Sequence, residues 1–231
     1  MTGVLPKPRH RWFAAFYDRL DRVGDRKTLA LRKSLLQGVS GTVLEIGCGT
    51  GTNFSHYDWS QIESLEATEP DPFMLRHARE KLAGLDAAAR SKLTLTEAPA
   101  EGLPFEDECF DVVVSCLVLC TVADPARSLG EIHRVLKPGG RLVISDIVLD
   151  GKLPEAIEKN ILAYVGCVSG ALLRDHYFEL ARRAGLAEIE ILKDIDFLAA
   201  AGQEETFGNV EEVRGKVRSV TFRARKPSAT R

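Results

Sequence analysis

The chain has 231 residues, 45% of them hydrophobic and 28% charged, with a formal net charge of −2. That length fits one large domain or one domain with extensions, and the composition is ordinary for a soluble globular protein. The near-neutral balance gives no global pull toward nucleic acid. Five cysteines (Cys48, Cys109, Cys116, Cys120 and Cys167) form no C-x-x-C pair and no framework spacing, so they read as free thiols of a reducing, cytoplasmic compartment. Residues 1–11 are broken by Gly3, Pro6 and Pro8 and lack the apolar core of a secretory leader. No apolar run approaches the roughly 20 residues of a membrane helix.

In chain order, residues 1–10 read as a tail. From Arg11 to Val23, the residues Trp12, Phe13, Phe16, Tyr17, Leu20 and Val23 fall on one helical stripe. A second helix is expected over 28–38, with Gly38 and Gly41 bracketing the turn into the first strand. The first 33 residues carry nine Lys and Arg against three Asp. This basic stretch reads first as a solvated helix face, with a membrane-surface or anionic-substrate patch as the alternative. Val43, Leu44 and Ile46 then supply the aliphatic run of a strand buried on both faces. Gly47, Gly49 and Gly51 follow, removing three side chains in five residues, so that the backbone can take positive φ and a ligand can approach main-chain N–H groups. In a parallel α/β sheet that bend sits at the carboxyl ends of the strands, where ligands bind.

The spacing is not the dinucleotide pattern G-x-G-x-x-G, because Thr52 stands at the third glycine position. It is acid-x-G-x-G-x-G with Glu45 as the acid. This resembles motif I of the class I methyltransferases, which bind S-adenosylmethionine. Ser64 to Thr68 reads as a second strand ending at Glu69-Pro70-Asp71. Glu69, 22 residues after Gly47, is placed to accept both hydroxyls of a ribose, since a carboxylate is acceptor-only. Asp71 is the better helix cap, with Pro72 at the first helical position, which leaves Glu69 for the ligand. Met74 can pack on an adenine or fill the core.

A third strand is expected over Lys92–Glu97 and a fourth over Phe110–Ser115, with Asp111 structural. Between them, Ala98-Pro99-Ala100-Glu101 resembles the methyltransferase loop at the adenine edge. Pro99 stands where many relatives have an aspartate, so the resemblance moves that contact to the backbone of Ala100 or the side chain of Glu101. Asp124 caps a helix running to Leu136, residues 137–141 form a turn, and Leu142–Val148 is a fifth strand. The string Arg134-Val135-Leu136-Lys137-Pro138-Gly139-Gly140 resembles the ubiquinone-biosynthesis type of methyltransferase. Residues 152–173 read as a helical insertion, 175–184 as a helix, and 187–195 with 217–225 as a closing antiparallel pair around a polar loop at 199–215. Residues 226–231 are a tail.

This order gives a Rossmann-like α/β fold: a seven-stranded, mostly parallel sheet with helices on both faces and a C-terminal antiparallel hairpin. One domain is expected over 11–225, with lid helices at 11–40, a cofactor core at 41–150 and a substrate-side part at 151–225. The resemblance implies that S-adenosylmethionine is held by Glu45, Gly47, Cys48, Gly49, Thr50, Gly51, Asn53, Glu69, Pro70, Met74, Ala100, Glu101, Ser115 and Cys116, leaving S-adenosylhomocysteine as product. It also makes Tyr17 a lid contact and places the residues after the fourth strand near the transferring methyl. His10, His56, His77, His133 and His176 are scattered and suggest no catalytic base. The stretch Tyr164–Leu172 resembles the cysteine segment of arsenite methyltransferases. That implies Cys167 with Cys116 or Cys120 as soft thiolate ligands for arsenite, against the reading of buried free cysteine as a small core residue. No acid cluster suggests a hard metal site. The expected acceptor is a small molecule, with no nucleic-acid partner. The alternatives are a lipid or quinone at a membrane surface and a non-catalytic adenosine-nucleotide binding regulator. The oligomeric state cannot be read from the sequence.

Overall fold

The computed structural model describes residues 32–154, 168, 170–197, 213 and 215–228. The expected helix over 11–23 with Tyr17, most of the 152–173 insertion with Cys167, and most of the 199–215 loop lie outside the described residues. Eight strands form one sheet: β1 (Gly41–Ile46), β2 (Ile62–Thr68), β3 (Leu93–Thr96), β4 (Phe110–Cys116), β5 (Leu136–Leu149), β6 (Leu172–Leu173), β7 (Ala187–Asp196) and β8 (Val217–Arg225). The path is β3-β2-β1-β4-β5-β8-β7, with β6 pairing with the end of β5. Pairing is parallel from β3 to β5 and antiparallel across β5-β8-β7. The seven expected strands are therefore present. The eighth, β6, is a two-residue addition where a helical insertion was expected to end.

Two helices, Pro72–Ala83 and Pro125–Val135, start where the sequence places their caps. In α1 (Pro72–Ala83), Asp71 accepts the N–H groups of Phe73 and Met74 at 2.8 and 3.2 Å. In α2 (Ala87–Lys92), which the sequence reading missed, Asp86 accepts from Ala89 at 2.8 Å. In α3 (Pro125–Val135), Asp124 accepts from Arg127 at 3.0 Å. The last helix, α4, spans Arg174–Arg183. Caps of this kind are each worth about 1 kcal/mol. The expected turn at 137–141 is instead the first part of β5. Gly139 has φ +78, but its N–H donates to the Lys226 carbonyl and Lys226 returns a bond to Gly140, so the bend is ladder-bonded to the chain beyond β8.

Two hydrophobic layers cover the sheet. Leu44, Ile46, Val113, Leu142, Ile144 and Phe222 pack with Leu129 and Ile132 of α3 and Tyr177, Phe178 and Ala181 of α4. On the other face, Val43, Leu65, Ala67, Val112 and Val114 pack with Leu35, Leu36, Phe54 and Ala78. Burial on both faces is why these strands read as continuous aliphatic runs rather than alternating ones. Among the described residues, no helix is long and apolar enough to cross a membrane.

Candidate active site

Register builds the site. Ile46 pairs with Thr68 on one side and Ser115 on the other, and Thr68 pairs with Thr96. Four parallel strands therefore end level, and the next residues along each chain stand together at one edge: Gly47, Glu69, Glu97 and Cys116. This is the crevice position of an open parallel sheet.

The glycine turn is tied down from several directions. Gly47, Gly49 and Gly51 have φ of +58, +58 and +78, the left-handed region that favours glycine. Two of the three are closed off by protein. A Cβ on Gly47 would lie 2.7 Å from Val118 Cγ2, and one on Gly51 would collide with the Phe54 ring. At Gly49 a Cβ would meet nothing within 4 Å among the described residues. The open glycine is thus the central one. Its N–H donates to Glu69 Oε2 at 3.0 Å, while the Asp71 N–H donates to Glu69 Oε1 at 2.9 Å. Backbone donors thus hold both carboxylate oxygens of Glu69 in a fixed orientation. On the far side, Lys81 Nζ of α1 donates to Thr50 Oγ1 at 3.0 Å and Thr52 Oγ1 at 3.1 Å.

Glu45 is turned into the fold. Its Oε1 accepts from Asn53 Nδ2 and its Oε2 from the Tyr57 hydroxyl, both at 2.9 Å. Arg32 Nη1 donates to Asn53 Oδ1 at 2.8 Å and approaches Cys116 Sγ at 3.8 Å. Burial pushes the Glu45 carboxyl up to about 7, against the downward pull of the Tyr57 and Asn53 bonds and of the Arg32 charge. Burial likewise raises the Cys48 thiol, and the nearby Glu45 and Glu69 carboxylates add to the shift.

The remaining sequence candidates are distributed as follows. Thr50 and Asn53 are buried in the tied turn, and Met74 and Ala100 are buried as well. Pro70 is half-buried after Glu69. Glu101 Oε1 accepts from the N–H groups of Ala123 and Asp124 at 2.8 and 3.4 Å, which engages it at the start of α3. Ser115 is fully buried, and its Oγ, like Thr68 Oγ1, has no hydrogen-bond partner among the described residues. Cys116 is half-buried at the end of β4. Cys120 is buried, and its thiol bonds to the Asp146 carboxylate. Among the described residues, no group of three or more His, Cys, Asp and Glu is placed to hold a metal ion. Sequence reasoning missed Arg32, Tyr57, Lys81, Thr68 and Asp146. Arg32 meets Asn53 across 21 positions, a separation with no local signature.

Residues 44–144 match a family described as the methyltransferase domain. Over that stretch the chain is similar to a methyltransferase domain. An arsenite methyltransferase of Halobacterium salinarum is 28% identical over 192 residues, covering 81% of this chain and 47% of that protein. The crystal structure of an arsenic(III) S-adenosylmethionine methyltransferase from Chlamydomonas reinhardtii superposes with a TM-score of 0.64 at 26% identity, covering 81% of this chain and 63% of that one. A Thermotoga maritima structure titled as a S-adenosylmethionine-dependent methyltransferase, possibly a histamine N-methyltransferase, has a TM-score of 0.66 at 24% identity. It covers 94% of this chain and 98% of its own, and shows the shared fold. The chain spans about half the length of its haloarchaeal relative.

Proposed function

We propose that this methyltransferase domain binds S-adenosylmethionine across the carboxyl edge of β1, β2 and β4 and transfers its methyl group to a small-molecule acceptor by in-line displacement. The observation that carries this reading is the level ending of these strands, with the Gly49 N–H bonded to Glu69 at that edge. Glu69, oriented by the Gly49 and Asp71 N–H groups, accepts from the ribose hydroxyls. The Gly47–Gly51 backbone forms the floor, with Cys48, Thr50 and Asn53 holding its shape. Met74, Pro70 and Ala100 flank the adenine. With Glu101 engaged at α3, the Ala100 backbone is the better adenine contact. The Ser115 and Thr68 hydroxyls offer donors beneath the floor.

The sulfonium supplies an already activated leaving group, so the protein's task is alignment and exclusion of water. Alignment of this sort is worth about 7–11 kcal/mol in the best intramolecular systems. Calorimetry with S-adenosylmethionine and S-adenosylhomocysteine tests binding. A labelled-methyl screen over arsenite, thiols, quinols and phospholipids tests turnover. Absence of binding to either nucleoside defeats the reading, and binding without transfer to any acceptor favours a non-catalytic regulator.

Arsenite is the second reading, supported by the relatives named arsenite methyltransferases. The thiol that suits it is Cys116, half-buried at the site edge, with Cys167 as partner. Cys120 suits it less, because its thiol is already bonded to Asp146. Soft thiolates match a soft ion. Arsenite affinity that is unchanged in both C116S and C167S removes this reading.

A further inference from the structure

Asp146 is a carboxylate with no solvent exposure, in the second half of β5. A buried carboxylate is costly unless hydrogen-bonded, so the identity of its donors is informative. Four groups bond to it. The Leu119 N–H donates to Oδ2 at 3.0 Å, the Ile147 N–H to Oδ1 at 2.9 Å, and the Tyr177 hydroxyl of α4 to Oδ2 at 3.3 Å. The Cys120 thiol is the fourth. Two of the four come from consecutive residues of the turn that follows β4.

That turn is closed on itself. Thr121 N–H, Thr121 Oγ1 and Val122 N–H all donate to the Val118 carbonyl, at 2.8, 2.8 and 3.2 Å. It begins at Leu117, a non-glycine residue with φ +59, in the left-handed region. Such a conformation persists only where the surroundings over-determine it, and it clusters at functional sites. Val118, the residue before the two anchored by Asp146, packs directly on Gly47, the first glycine of the cofactor turn. Carboxylate, anchored turn, Val118 and Gly47 form one contiguous chain of contacts.

We propose that Asp146 is a positioning residue of the methyl-transfer site: by gripping Leu119 and Cys120 it sets Val118 against Gly47 and so fixes the glycine turn for the cofactor. This rests on the methyltransferase reading. The experiment compares wild type with D146N, C120A and C120S by calorimetry with S-adenosylhomocysteine, by thermal unfolding, and by amide exchange of segment 117–122.

D146N keeps the side-chain shape but places an amide N–H₂ against one of the donors. It is expected to bind about tenfold more weakly and to exchange faster in 117–122. C120A, which loses the thiol donor, is expected to bind about threefold more weakly. C120S, which keeps a donor, is expected to return to within about twofold of wild type. If D146N does not fold, the C120A and C120S pair carries the test, because a merely structural filling of that space gives no recovery in affinity with serine. Wild-type affinity in D146N and C120A, with only a lowered melting temperature, overturns the proposal and leaves the methyltransferase reading standing. No binding by wild type itself overturns both.

Discussion

Replacing Gly49 by alanine separates the fold from the ligand. Gly47 and Gly51 cannot do this, because a Cβ at either position runs into Val118 or Phe54 and damages the turn itself. At Gly49 the added methyl meets no atom of the described residues within 4 Å, and the N–H bond to Glu69 is retained. The cost to folding is then only that of an L-residue at φ +58, about 1–2 kcal/mol. For a chain of this size that is roughly 2–8 °C in melting temperature. If the nucleoside lies over this residue, the methyl occupies its space, and affinity for S-adenosylhomocysteine should fall by at least tenfold, about 1.4 kcal/mol. Gly215 is the matched control, with φ +74 and no described residue within 4 Å of an added Cβ, just ahead of β8. G215A should show a comparable thermal shift with unchanged affinity. Equal affinities for G49A and G215A would refute the placement of the cofactor over the glycine turn.

Glu45 makes stability depend on pH. Its folded carboxyl holds a proton up to about 7 against an ordinary value of 4.5. Its contribution is therefore fully present below pH 4.5 and is lost as pH rises through 7, about 3 kcal/mol in all. The difference in denaturant stability between wild type and E45Q should shift against wild type across that window; a constant difference would count against the assignment. Lys81→Met removes both bonds to the turn threonines. It should weaken S-adenosylhomocysteine binding several-fold while lowering the melting temperature little, measured by calorimetry and thermal scan. Phe222→Ala empties the centre of an aromatic cluster in which the ring lies 5.9 Å from Tyr177 and 5.1 Å from Phe178. It should cost about 3–5 kcal/mol in urea unfolding, with no selective effect on cofactor affinity in the protein that remains folded.

The strands and helix starts were legible because their signals are local. Asp71-Pro72 and Asp124-Pro125 announce caps that the structure confirms, and the Val217–Arg225 strand keeps its expected bounds. The short helix α2 escaped because Ala87–Lys92 has too few apolar positions to show a period. Lys137–Arg141 looks like a turn in isolation, and distant pairing makes it strand: Gly139 and Gly140 bond to Lys226, nearly ninety residues on, and Arg141 pairs with Val112 and Arg225. At the site, Glu69 was readable from its distance to the glycines. The inward turn of Glu45 was not, because it depends on Tyr57 and on Arg32, whose proximity arises only once the sheet is assembled. Asp146 was equally hidden, since its donors lie on a different strand's exit turn and on a distant helix.

The glycine bend is braced on both flanks before any ligand arrives: Glu69 holds its middle, Lys81 its outer threonines, and Asn53 its exit through Glu45. Ordering that segment is thus charged to the folding of the chain rather than to the encounter with the nucleoside, so capture loses little backbone entropy on association. On the proposed function, a receptor prepared in this way would exchange cofactor and product without refolding its own cradle.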